Sequence, residues 1–172
     1  MSATTTLKAI GLKYGEVGGT PSTRLMGVLK GLSIAQDEPD SSEIEAEFFD
    51  TPFDIFYDGN PVTMTFELAN YDIATDLAPL FGGSYASNEY EGPAVAHTTE
   101  HSWELEFGRG NQSLYIYKGL TVGTLKKDED GALNFSVTIT ALVYTSSSTT
   151  GEGANAVTTY TDHMYKIKAR TT

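Results

Sequence analysis

From Leu133 to Val143 apolar and polar residues alternate without a break. Leu133, Phe135, Val137, Ile139, Ala141 and Val143 fall on one parity, and Asn134, Ser136, Thr138 and Thr140 on the other. A helix would scatter these apolar residues around its circumference. In a strand successive side chains point to opposite faces, so the stretch buries one face only as β-structure. Val62, Met64, Phe66 and Leu68 repeat the pattern against Thr63, Thr65 and Glu67, and Trp103, Leu105 and Phe107 repeat it against Glu104 and Glu106. Turn signals punctuate these runs at short intervals, which predicts an all-β, antiparallel chain. Asp58-Gly59-Asn60-Pro61 reads as a tight turn joining residues 53–58 to the strand at 62–68. Asp128-Glu129-Asp130-Gly131 reads as another, joining 113–127 to 132–145. The first and last strands are expected near residues 5–14 and 158–169.

One segment departs from this period. Between Tyr71 and Phe81, Ile73, Leu77, Leu80 and Phe81 are spaced as on a helix, Asp72 is a candidate N-cap, and Gly82-Gly83 supplies a left-handed stop. Pro79 removes a backbone donor and crowds the preceding turn, so the helix should be short or kinked. Four stretches read as flexible loops, near 15–23, 37–42, 84–99 and 146–156, within one domain spanning residues 1–172.

Charge is distributed unevenly. Residues 31–108 hold 17 Asp and Glu and no Lys or Arg, whereas residues 1–30 sum to +3 and residues 109–172 to +2. Non-specific affinity for nucleic acid comes mainly from Lys and Arg displacing phosphate counterions, so the middle of this chain should repel DNA. The ends and the middle are complementary to one another, or to other copies. With eight Phe and ten Tyr the chain can build a core, and its acidity belongs to a folded surface. It has no cysteine, which excludes disulfides and thiolate metal sites and suits a cytoplasmic origin. Met1 to Tyr14 lacks the pattern of a signal peptide, and no run approaches the length of a membrane-spanning helix. The sequons at Asn111 and Asn134 are expected to be incidental.

Motifs for chemistry are weak. His97-Thr98-Thr99-Glu100-His101 matches the H-x-x-E-H of a class of zinc peptidases, which requires both histidines on one helical face. Pro93 upstream, two central threonines and the strand pattern that follows argue against a helix, so no metal site is expected. Asp37-Glu38-Pro39-Asp40 and Asp128 to Gly131 lack the spacing of a calcium loop. Gly15 to Gly19 and Gly108-Arg109-Gly110 lack the setting of a phosphate cradle. Glu104 and Glu106 could be imagined as a glycosidase pair, but nothing marks either as desolvated. No convergent nucleophile, base and stabiliser is present, so neither enzymatic activity nor a cofactor is expected.

The acidic residues of Glu43-Ile44-Glu45-Ala46-Glu47-Phe48 share one strand face, as do Glu104 and Glu106. A solvated face is one reading, and an acidic wall facing something that must not stick is the other. The order of features then becomes informative: an early strand and Gly-rich loop, a strand near Lys30 to Gln36, the acidic strand, the strand at 63–68, the segment TFELANYDIATDLAPLFGG, and a strand-rich C-terminal half. In this order the chain resembles the tail tube (major tail) proteins of long-tailed bacteriophages. The resemblance implies a β-sandwich with a flanking helix. Six copies form a ring whose strands line a channel as a ring-wide β-barrel, and rings stack head to tail.

It also implies a virion protein, assembled in the host cytoplasm, whose partners are its own copies, a tape measure protein and tail terminator or baseplate proteins. DNA would transit without specific binding. Candidate lumen residues are Glu43, Glu45, Glu47, Glu104 and Glu106. Candidate inter-subunit residues are Lys8, Lys13, Lys30, Asp37, Glu38, Asp40, Lys166 and Lys168, with the loops as arms that order on assembly. Two alternatives stay open: the tube of a contractile injection apparatus, and a monomeric carbohydrate-binding or adhesin module in which Tyr85, Tyr90, Tyr115 and Tyr117 stack on sugars. Packing within the fold is the competing role for those tyrosines.

Overall fold

The computed structural model describes residues 9–37, 40–44, 54–58, 60–94, 98–107, 112–127, 129, 131–151 and 156–169. These residues form mostly antiparallel β-structure with one short helical segment. In chain order the strands are β1 (Ala9–Gly15), β2 (Thr23–Arg24), β3 (Val28–Ala35), β4 (Asp40–Ile44), β5 (Asp54–Asp58) and β6 (Thr63–Ala69). After the helical segment come β7 (Ser84–Ala86), β8 (Glu89–Glu91), β9 (Thr99–Phe107), β10 (Gln112–Lys127), β11 (Leu133–Ala141), β12 (Tyr144–Thr150), β13 (Val157–His163) and β14 (Tyr165–Ala169).

Eight strands make the main sheet, ordered β2-β1-β9-β10-β11-β6-β3, with β14 also on β10. β10 is long enough to serve two neighbours on one side. Its residues 112–116 pair with β14 and 119–127 with β11, while β9 runs along the other side. Leu12, Trp103, Leu105, Leu114 and Ile116 from one half of the sheet share a single core with Met64, Phe66, Leu68, Val137 and Ile139 from the other. The sheet therefore folds over on its own apolar face. The parity read from residues 62–68 and 133–141 is the parity observed, with Met64, Leu68, Val137 and Ile139 fully buried. Leu133 and Val143 end up more than half exposed, because one pairs with Lys127 at the overhanging end of the β10–β11 hairpin and the other lies past the end of β11.

The expected hairpin through Asp58 to Pro61 does not form. β5 pairs with β4, and β6 pairs with β3 and β11. Pro61, the fourth residue of that turn, has no N–H to close it onto the Asp58 carbonyl. β10 and β11 do pair as an antiparallel hairpin, with Lys127 opposite Leu133.

The expected loops are partly strand, and β4 begins inside 37–42 at Asp40. Within 84–99, β7 and β8 form a hairpin whose central residues Ser87 and Asn88 have φ of 53° and 65°, the doubly positive geometry of a type I′ turn. β12 runs through residues 146–150 of the last expected loop and pairs with β13, which begins just beyond it at Val157. The last strand near 158–169 is in fact two, since pairing changes at Met164 from β12 to β10.

The helical segment fits its sequence closely. The Asp72 carboxylate accepts from the amides of Ala74 (2.9 Å) and Thr75 (3.0 Å), capping a wide π-helical turn at Ile73–Leu77, and one α-turn follows, α1 (Ala78–Phe81). Pro79 has no N–H for the Thr75 carbonyl, which favours the widened turn, and the Tyr14 hydroxyl lies 3.5 Å from that carbonyl. Gly82 and Gly83, with φ of 73° and 79°, end it. Phe81 stacks on Phe135 with ring centroids 4.5 Å apart and fills the space a side chain at Gly123 would need, which fixes the segment against β10 and β11.

Asp76 is fully buried on this segment and accepts three backbone N–H groups, from Met26 (3.0 Å), Gly27 (2.8 Å) and Asp72 (3.1 Å). One carboxylate thus ties the entrance of β3 to the helical turn. Asp76→Ala would strand these donors, each worth about 1–3 kcal/mol when buried and unsatisfied. Urea unfolding should show a loss of about 3 kcal/mol or more, against about 1 kcal/mol for Asp72→Ala, which removes only the cap.

Candidate functional site

Direct cross-strand partners share a face, so the register of β2, β1, β9, β10 and β14 defines rows of neighbouring side chains. One row runs Arg24, Lys13, Glu104, Tyr115, Lys166, and the next runs Gly11, Glu106, Ser113, Lys168. This face lies opposite the core row of Leu12, Leu105 and Leu114.

Glu104 and Glu106 point away from the core, as their parity requires, but they are not a bare acidic wall. Lys13 Nζ is 2.7 Å from Glu106 Oε1, Ser113 Oγ donates to Glu104 at 2.7 Å, and Lys168 Nζ stands 3.9 Å from Glu104. The two carboxylate side chains are only 12 % and 16 % exposed, so bases on neighbouring strands screen them. Four bases against two carboxylates leave this face net positive in a chain of charge −12.

The same face is aromatic. Lys168 Nζ lies 4.3 Å from the centroid of Tyr115, and Lys166 Nζ lies 4.6 Å from Tyr115 and 4.8 Å from Tyr117. Tyr115 is buried, which pushes its phenol pKa up, and it donates to the Gly19 carbonyl. Tyr117 stacks on Tyr144 (5.9 Å) and on His163 (4.9 Å). Tyr90 donates to the Gly82 carbonyl and Tyr85 to Asn88 Oδ1. All four tyrosines considered for sugar stacking are therefore engaged within the fold.

Tyr144 and His163 are the first cross-strand pair of the β12–β13 hairpin, and their stacking on Tyr117 seats it on the main sheet. The amide of Gly18 donates to the Tyr117 carbonyl at 2.9 Å. Gly18 has φ of 73°, and a side chain there would meet the Tyr144 ring at 2.3 Å. The loop at 15–23 is thus packed into the base of the hairpin. Beyond that base the hairpin is an arm. Among the described residues its strands pair only with each other, and both faces are exposed, Val157 at 63 % and Tyr160 at 71 %. Hydroxyl contacts replace a core: Thr145 donates to Asp162 at 2.6 Å, and the Thr149 and Thr158 hydroxyls are 3.0 Å apart.

The remaining expected site residues are scattered. Lys30 is exposed on β3 opposite Glu67, and Asp37 is exposed just past that strand. Asp40 and Glu43 lie on β4, opposite Asp58 and Ile55. Lys8, Glu38, Glu45 and Glu47 lie outside the described residues. Arg24, Tyr144 and His163 escaped sequence reasoning, because only the register of distant strands brings them to this face.

Of the H-x-x-E-H match, His97 lies outside the described residues, and Glu100 and His101 sit on opposite faces of β9. Among the described residues no group of three His, Asp or Glu could hold a metal ion, and no helix is long and apolar enough to cross a membrane. No family model, curated protein or solved structure matches this chain.

His101 packs against Tyr14 (5.2 Å) and Trp103 (5.9 Å), and burial lowers its pKa. The folded chain then binds this proton less readily than the unfolded chain, whose imidazole titrates near pH 6.5. The stability tied to neutral His101 is fully present above that value and is lost as the pH falls below it toward the lower folded value. In urea unfolding between pH 7.5 and 5.5, His101→Gln should flatten the decline of the midpoint relative to the unmodified chain.

Proposed function

We propose that this chain is a structural subunit that polymerises, a tail-tube protein in which six copies form a ring and rings stack head to tail into a conduit for DNA. The observation that carries this reading is the β12–β13 arm. A two-stranded hairpin is marginally stable alone in water, and one exposed on both faces is suited to being covered by a neighbour. The antiparallel sheet with its single short helical segment and the base-free acidic stretch at 31–108 support it further.

In this reading the chain is not an enzyme. It works in the virion with its own copies, a tape measure protein and terminator or baseplate proteins, and strands of six copies complete a β-barrel around the channel. Because Glu104 and Glu106 are paired with bases, the non-stick lining is assigned first to Glu43, Glu45 and Glu47. A wall without Lys or Arg offers phosphates no counterion-releasing site.

Negative-stain microscopy of concentrated protein should show rings or tubes, and a strict monomer at every concentration would sink the proposal. Replacing residues 145–162 by a short Gly-rich turn should leave the unfolding midpoint nearly unchanged while abolishing tubes. In reconstituted particles, Glu43→Lys, Glu45→Lys and Glu47→Lys together should slow DNA release, and unchanged release would remove these residues from the channel.

A further inference from the structure

We infer that β8 of one copy pairs edge to edge with β14 of a second copy, which sets the direction of assembly. The inference rests on the self-assembly reading above and adds the surfaces that would meet. Among the described residues β8 pairs only with β7 and β14 only with β10, so each has an outer edge that no strand occupies.

The two edges match residue by residue. β8 reads Glu89-Tyr90-Glu91 and the centre of β14 reads Lys166-Ile167-Lys168. In each, the charged residues are two apart and share a face, about 7 Å from one another, with the apolar residue on the opposite face. Antiparallel pairing in register puts Glu89 opposite Lys168 and Glu91 opposite Lys166, with Tyr90 opposite Ile167.

Both surroundings favour the contact. Tyr90 lines an apolar groove of about 730 Å3, whose other walls include Ile73, Leu125 and Leu133, each at least 43 % exposed. Ile167 is 66 % exposed, and an incoming β14 would carry it toward that groove on the side of Tyr90. Beside β14 a crevice of about 290 Å3 separates it from β3, bridged by a Tyr165–Gln36 contact at 3.4 Å, so its edge is open. Glu89 and Glu91 are exposed and form no ion pair among the described residues.

The groove borders Gly123 and Leu125 near one end of β10, whereas β14 pairs with residues 112–116 at the other. Two different patches at opposite ends of one strand make a heterologous contact, which repeats in one direction instead of closing a two-fold dimer. A match of three residues is short, so its part is register and polarity, with the arm supplying further area.

The test is a charge exchange read by sedimentation velocity at low salt. Glu89→Lys with Glu91→Lys, and separately Lys166→Glu with Lys168→Glu, should each weaken self-association about tenfold or more, as expected for two opposed pairs turned repulsive. An equimolar mixture of the two variants should recover it, because each new charge meets its opposite on the other chain. If Lys166→Glu with Lys168→Glu melts early through loss of the Lys168–Glu104 contact, Lys166→Glu alone serves as the partner. Unmodified protein that assembles while the variants assemble equally well, or a mixture that fails to recover, overturns this interface and leaves the function proposal standing. Unmodified protein that never self-associates overturns both.

Discussion

The hydrogen-bond ladder of β10 is the constraint on which the rest of the structure depends. A buried strand must satisfy its backbone donors and acceptors on both sides, and a strand of 16 residues outruns any single neighbour here. The solution is a divided edge, with β14 on its first part and β11 on its second. That division lets one sheet turn back over its own apolar face, so the core comes from two halves of a single ladder. Among the described residues it also leaves β14 and β3 with open edges beside a crevice.

Local chemistry fastens the remaining pieces to this ladder. The Asp76 carboxylate gathers three amides that would otherwise be buried without partners, joining the chain before β3 to the helical turn. Phe81 and Phe135 then hold that turn against β10 and β11. At the other end Tyr117 seats the arm through Tyr144 and His163, with Gly18 admitting the Tyr144 ring. The body is well filled, while the arm beyond its base is hydrogen-bonded but has no core of its own. This contrast between a body with a shared apolar core and an extension without one is the physical basis for reading the chain as a subunit.

Electrostatics changed most between sequence and structure. Read along one strand, Glu104 and Glu106 look like half of an acidic wall. Across strands they belong to a lattice with Lys13, Lys168 and Ser113, and the face they share is net positive. The acidic stretch is therefore divided by folding. Some of its charge is screened within the sheet, and some, as at Glu89 and Glu91, stays exposed at an edge.

Strand parity at 62–68, 103–107 and 133–141, the Asp72 cap, the effect of Pro79 and the double-glycine stop were all legible in the sequence, because each depends on residues within a few positions of one another. Pairing was not. That β5 joins β4 and not β6, that 84–91 is a hairpin, and that β12 and β13 form an arm depend on which edges are free once the long strands have paired. The sequence by itself determined which face of each long strand is apolar. Only the tertiary structure decided which charges lie beside which, because register between strands up to about a hundred residues apart sets the neighbours of Lys13, Glu106 and Lys168.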